Sequence, residues 1–370
     1  MKIIITKENL IKALQKIIGV VEKRQSMPIL SHILFRKSDK GYEVVASDLE
    51  VQLSSVIEVN DAQDFTGDIT IPGRKLFDIG KGLSDESLIE IDKIDEAKIQ
   101  IKSKKSKFIL SALDANTFPM METLEEGSIS FSMKTSELKE IIGKTSFAMA
   151  QQDVRYYLNG LYLFASNNEI SGVATDGHRL AKAGISTQGQ ELEGVSAIVP
   201  RKGVIEIDKQ LDGEEEEINV IVSKNHLKVS NKKTMAISKL IDGTFPDYEK
   251  VIPADVDKKV IVDSKLFKEA LIRVSILSND RFRGVRLNFE NNEIKVSANN
   301  PEKEEASDDI KSTYEGDAIE VGFNVNYLID VLSVIKTKNV QILLKDANSS
   351  ALLAPENDVS SSYVVMPLRL

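Results

Sequence analysis

With 370 residues, 42% of them hydrophobic and 28% charged, the chain suits two or three folded domains of about 100–150 residues and is neither disordered nor fibrous. It has no cysteine, which excludes disulfides, thiolate metal sites and cysteine nucleophiles, and its formal charge of −9 excludes a surface that is basic all over while leaving room for a local basic lining. The first residues, MKIIITKENL, turn polar after three isoleucines, too soon for a signal-peptide core or a membrane span, so a cytoplasmic protein with no membrane partner is expected.

An amphipathic helix is predicted from about residue 8 (ENLIKALQKIIGVV), with Leu10, Ile11, Leu14, Ile17 and Ile18 on one stripe. Alternating strands follow (YEVVASDLEVQLSSVIEV), then a strand that runs into a second helix (ITIPGRKLFDIGKGL). In AKIQIKSKKSKFILSAL the two-residue strand period puts Lys102 and Lys104 on one face and Lys105 and Lys107 on the other. The segment ILSALDANTFP closes this unit.

The order then repeats. A helix starts near 135 (TSELKEIIGKTSFAMA, with Thr135 or Ser136 as N-cap), a strand enters a helix in AIVPRKGVIEIDKQL, and AISKLIDGTFPDY closes the unit. A third round has a helix from 263 (DSKLFKEALIRVSILS, capped by Asp263 or Ser264), the strand NEIKVSANN, the strand and helix IEVGFNVNYLIDVLSVI, and the closing SSYVVMP. Phe118 and Phe245 lie 127 residues apart, Pro72 and Pro200 128, and Pro246 and Pro367 121. So long a period marks a repeated domain rather than a solenoid turn. Three α+β domains are expected, 1–126, 127–252 and 253–370, each with two helices on one face of antiparallel strands. The acid run from Glu214 to Glu217 reads as a solvated turn.

Little in the chain suggests chemistry. His32, His178 and His226 lie far apart, without metal-ligand spacing, and no phosphate-binding or nucleophile-elbow motif occurs. No catalytic residue, metal or cofactor is expected. Asp176-Gly177-His178-Arg179 admits a hydrolase reading as a carboxylate–imidazole pair, and a plainer one as a turn between strands. Two charge patterns stand out: the lysines of the first repeat, and Glu302, Glu304, Glu305, Asp308 and Asp309 in the third. A solvated face explains either alone. Together they suit a head-to-tail contact, which makes a ring if the rotation closes. Helical cations also recur at matching places: Lys12 and Lys16; Arg74, Lys75 and Lys81; Arg201, Lys202 and Lys209; Lys265, Lys268 and Arg273. Glu137, Glu140, Glu206 and Asp330 dilute them, so any phosphate contact should be loose and salt-sensitive.

The strings QDVRYYLNG, VATDGHRLA, IVPRKGVIE, DGTFPDY, FRGVRL and the terminal YVVMPLRL resemble the β subunit of bacterial DNA polymerase III, the replication sliding clamps, along the whole chain. The resemblance implies the DNA-clamp fold: three repeated domains per subunit, helices lining the inside, antiparallel sheets outside, and a head-to-tail dimeric ring. Twelve lining helices about 9 Å apart would make a circle about 34 Å across with about 24 Å clear, enough for a duplex. It implies a non-catalytic subunit that encircles double-stranded DNA regardless of sequence and tethers the replicative polymerase, conferring processivity. A generic three-domain scaffold that never encloses DNA is the alternative.

Carried over from the family, the DNA contacts fall on Arg24, Gln152, Tyr156 and Tyr157, beside Arg74, Lys75, Arg201 and Lys202. A pocket for the short peptides of clamp loader, polymerase and repair proteins falls on Leu158, Thr175, Gly177, His178, Arg179, Leu180, Pro246, Val251, Val364, Met366, Pro367 and Leu368, with Ser350 at its rim. The dimer interface centres on Phe108, Ile276 and Leu277, flanked by Lys102, Lys104, Lys105, Lys107, Glu302, Glu304 and Glu305. Two departures are visible: Leu368 stands where the family has Met, an exchange of similar volume, and Glu249-Lys250 where relatives often carry two basic residues.

Overall fold

The computed structural model describes residues 2–22, 27–63, 67–121, 127–166, 168–187, 192, 194–211, 213 and 216–369. Six α-helices occur among them: α1 (Lys7–Ile17), α2 (Gly73–Gly82), α3 (Thr135–Thr145), α4 (Arg201–Gln210), α5 (Ser264–Ser275) and α6 (Val325–Val334). They come in pairs, two to each repeat. Thr6 caps α1 by accepting from Asn9 N at 3.2 Å. Asp263, not Ser264, caps α5, accepting from Lys265 N and Leu266 N. Thr135 does not cap α3; it is the first helical residue and donates its hydroxyl to Glu216 O at 2.8 Å. Half of the Glu214–Glu217 run lies outside the described residues, and Glu217 begins a strand.

Contacts group the chain into two compact units, 1–138 with 202–240 and 139–201 with 241–370. Each unit takes part of the middle repeat, and the reason is strand pairing. In the first unit an eight-stranded antiparallel sheet joins Val51–Ile57 of the first repeat to Thr234–Lys239 of the second, in the register Leu53 opposite Ala236. α1 lies against the Val51 and Gly41 strands and against α2, burying Leu10, Ala13, Leu14 and Ile17. A five-stranded sheet ends at Ser106–Ser111. In the second unit a twelve-stranded sheet joins Arg179–Ser186 of the second repeat to Ser361–Val365 of the third, with Ala181 opposite Tyr363. α5 and α6 pack on each other in this unit.

The lysine stretch differs from the single strand expected. Lys98–Ser103 and Ser106–Ser111 form a hairpin whose turn is Lys104-Lys105, with Lys104 at φ 51° and Ser103 paired to Ser106. Lys102 and Lys107 are therefore cross-strand partners. Like charges in that position repel, and Lys102 is relieved by Glu90 at 3.6 Å.

His32 opens a strand in the eight-stranded sheet, 6% exposed, and its Nδ1 has no hydrogen-bond partner among the described residues. Burial, helped by the Lys75 charge, lowers its pKa from 6.5 to about 4. The folded state thus holds the neutral ring. Its contribution is complete above about pH 6.5 and is lost as the pH falls toward 4, a difference of about 3 kcal/mol. A His32→Gln variant should lose less melting temperature than the parent between pH 7 and pH 4.5; equal losses would show that other groups set the acid sensitivity.

Candidate functional site

The TDGHR string is a tight turn inside the second unit. Asp176 Oδ1 accepts from His178 N at 3.0 Å and Arg179 N at 3.1 Å, while Thr175 Oγ1 accepts from Gly177 N and donates to Arg179 O at 2.6 Å. Gly177 sits at φ 87°, and a Cβ there would lie 2.8 Å from the Arg155 guanidinium. The turn needs glycine on both counts. Asp176 thus binds backbone, and its Oδ2 accepts from Arg179 Nε at 3.1 Å, so it does not serve His178 as a catalytic carboxylate would. The His178 ring instead stacks on Tyr327, centroids 6.4 Å apart.

Arg179 organises the neighbourhood. Its Nη1 pairs with Asp330 at 2.5 Å, its Nη2 donates to Phe147 O at 2.9 Å, and its guanidinium carbon lies 4.6 Å from the Tyr327 ring centre. Met366 N donates to His178 O at 2.9 Å, which ties the C-terminal segment to the turn.

Predicted pocket residues gather here in two groups. Leu158, Leu180 and Val364 are buried in one apolar cluster with Phe245 and Tyr248, and Val251 packs half-buried against it. Ser350, Met366, Pro367 and Leu368 line a cavity of about 420 Å³. Pro246 is exposed next to the cluster. Burial pushes the Tyr248 hydroxyl up to about 12, so it stays a neutral donor. Lys250, at the departure from the family pattern, pairs with Asp247 at 2.8 Å and holds that carboxyl below its usual range.

The predicted DNA contacts divide. Arg24 lies outside the described residues. In the first unit Lys75 is exposed, Arg74 Nε donates to Val21 O at 2.7 Å, and Lys202 pairs with Asp48 at 2.6 Å and Glu22 at 3.2 Å. In the second unit Arg201 reaches Met149 O at 3.4 Å. Gln152 is exposed in a left-handed conformation (φ 57°). Tyr156 is 58% exposed, whereas Tyr157 packs against the apolar cluster, its ring 5.8 Å from Tyr156. Arg155 joins this loop to the turn: it pairs with Asp153 at 2.9 Å and donates to Asp176 O at 3.3 Å. The Arg155 contact lowers the Asp153 pKa to about 2.

The predicted interface residues lie at strand edges and a helix end. Phe108 is half-buried on the outermost strand of the five-stranded sheet, with Lys105 and Lys107 exposed and Lys104 reaching Ser84 Oγ at 3.2 Å. Ile276, just past α5, is 74% exposed, and Leu277 is half-buried. Glu302 and Glu304 lie in the turn before Glu305–Thr313, where Asn300 holds Glu304 at 2.7 Å. Sequence reasoning did not anticipate the contacts that Arg155, Tyr327 and Asp330 make with the turn, Arg155 at Asp176 O and the other two at Arg179, because these partners are distant in sequence.

A family model for the DNA polymerase III beta subunit N-terminal domain matches residues 1–122, one for its central domain 132–247, and one for its C-terminal domain 249–369. The chain is 45% identical over 368 residues to the beta sliding clamp of Pseudomonas putida, and equally to that of Pseudomonas aeruginosa, covering 99% of each chain. A crystal structure of the Pseudomonas aeruginosa DnaN sliding clamp bound to griselimycin superposes with a TM-score of 0.96 at 44% identity over 100% of both chains.

Replacing Gly177 by Ala should cost about 1–2 kcal/mol through the left-handed backbone and the displaced Arg155. Thermal denaturation measures this, and an unchanged melting temperature would refute the assigned role of the turn.

Proposed function

The chain belongs to the family of the DNA polymerase III beta subunit, the sliding clamps, and on that premise we propose which of its residues close the ring, hold the partners and face the DNA. Its function is that of the family: a non-catalytic processivity clamp for DNA polymerase III, built from three domains of the clamp fold, that acts on DNA as a dimer and binds polymerase and other partners. It works on DNA in the cell interior, and we assign it to the cytoplasm.

The observation that carries the assembly proposal is the pattern of strand edges. Each repeat has a strand that follows a capped turn: Val51–Ile57 after Asp48, Arg179–Ser186 after Asp176, and Glu305–Thr313 after Asn300. The first two pair with a strand of the next repeat. The third is bridged on that side only at Ser312 and Thr313, which leaves its Glu305 end open. The first repeat has the matching leftover, Ser106–Ser111, with no strand partner on its outer edge among the described residues. Two copies arranged head to tail let each open edge take the other's. Glu305 and Asp309 then face Lys105 and Lys107, while Asp308 on the other face stays with Arg273 at 2.6 Å, and Ile276 and Leu277 supply apolar cover beside Phe108. Twice three domains make a closed ring.

Domain limits of 1–126, 127–252 and 253–370 are part of this proposal, although the third family match begins at residue 249, just ahead of the last limit. The turn at 175–180, the cluster around Leu158, Val251 and Val364, and the Met366 segment form the peptide pocket. Its apolar floor would accept hydrophobic anchors, and its exposed backbone and hydroxyls would fix their direction. Clamp loader, replicative polymerase and repair proteins share it. Gln152, Tyr156, Lys75 and Arg24 contact DNA, while Arg74, Arg201 and Lys202 contribute charge from fixed positions.

Loaded onto nicked circular DNA, the protein should remain bound until the circle is cut and then slide off; equal retention on circular and linear forms would leave only a surface-binding scaffold. Phe108→Asp and Ile276→Asp should each convert the dimer to monomer in analytical ultracentrifugation. Dimers of unchanged affinity would remove those residues from the interface.

A further inference from the structure

The cavity of about 420 Å³ extends beyond the proposed peptide pocket. Besides Ser350 and Leu368 it is lined by Arg286, Glu320, Gly322 and Arg369. Arg286 and Gly322 are register partners on the strands Gly284–Glu290 and Ile319–Asn324, and Glu320 lies two residues along the same face. Gly322 carries no side chain, which opens the space between the two charges. Its carbonyl accepts from Leu368 N at 2.8 Å, so the tail forms a wall of this cavity at the edge of the strand.

Arg286, Glu320 and Arg369 are exposed. None of the three side chains has a hydrogen bond or ion pair among the described residues. Most of the cations around the pocket are committed elsewhere: Arg179 to Asp330 and Asp176, Arg155 to Asp153, and Lys250 to Asp247. The cavity therefore holds two guanidinium groups with no hydrogen bond or ion pair among the described residues, set against one glutamate.

We propose that the cavity reads one acidic side chain flanking the apolar anchors of a partner peptide, with Arg286 as its principal contact. The proposal rests on the peptide-pocket reading and deepens it. It follows from continuity, because Ser350, Met366, Pro367 and Leu368 belong to both, and from charge complementarity. Arg286 stands on a strand, so the root of its side chain is fixed while its planar fork is free to meet a carboxylate. Arg369 adds charge from the tail. Glu320 limits the preference to a single acid, since a second carboxylate would meet it.

The test is fluorescence-polarisation binding of the full-length protein to short peptides with leucine and phenylalanine anchors, flanked by Ala on both sides or by Asp on one side or the other. One Asp-flanked peptide should bind roughly fivefold more tightly than the Ala-flanked one, with the gain fading by about 0.5 M salt. Arg286→Ala should erase that gain and leave the Ala-flanked peptide unaffected; Glu320→Gln should enlarge it. A gain that survives Arg286→Ala, or no gain for either Asp-flanked peptide, overturns the proposal while leaving the pocket intact. Failure of the Ala-flanked peptide itself to bind would sink the pocket reading, and this proposal with it.

Discussion

An antiparallel strand at a sheet edge leaves backbone N–H and C=O groups without partners, and how this chain covers its edges governs the rest of its structure. The Val51 strand finds the Thr234 strand and the Arg179 strand finds the Ser361 strand. These seams are ordinary sheet hydrogen bonding carried across repeat boundaries. That is why the compact units cut through the middle repeat instead of following the sequence period. The same requirement makes the open edges at Ser106–Ser111 and Glu305–Thr313 significant. They bear opposite charge, which discourages each from pairing with its own kind and favours the other.

Charge elsewhere is largely spent on fixing geometry. Lys202 lies between Asp48 and Glu22, Arg74 holds the Val21 carbonyl, and Lys209 pairs with Glu206, whose carboxylate occupies the place a side chain on Gly19 would need. A cation so engaged still contributes field but does not close tightly on a phosphate. This fits a protein of net charge −9 that must stay near DNA and move along it. Retention comes from enclosure, so the lining needs only weak, salt-sensitive contacts.

The repeats, the six helices and the TDGHR turn were legible because each rests on local pattern: apolar spacing for α1, α3 and α5, and Asp-Gly chemistry for the turn. The lysine hairpin was not, because two-residue alternation continues across Lys104-Lys105 and carries no glycine to mark the bend. The partners of Arg179 were also invisible. Asp330 lies on α6, and nothing in IEVGFNVNYLIDVL indicates that its acid faces the second repeat. The roles of Phe108 and Ile276 came from family resemblance. Ile276, 74% exposed, lies one turn past Ile272, itself 45% exposed, an apolar stripe of the kind a partner covers.

The first and second repeats build the same turn and put it to different use. Asp48 accepts from Glu50 N and Val51 N as Asp176 does from His178 N and Arg179 N, and Leu49 takes the left-handed place of Gly177 at φ 75°. In the first repeat the second oxygen of Asp48 is closed off by Lys202, and the following Gln52 accepts from Met121 N, so chain from the same unit fills the neighbourhood. In the second repeat Asp176 turns back on Arg179 of its own strand, and the residue in the left-handed place has no side chain. The space beside the turn is therefore not filled by the turn itself. The corner is sealed by Lys202 and Gln52 in the first repeat and bordered by Arg155 in the second, and the difference rests on which residues follow the aspartate.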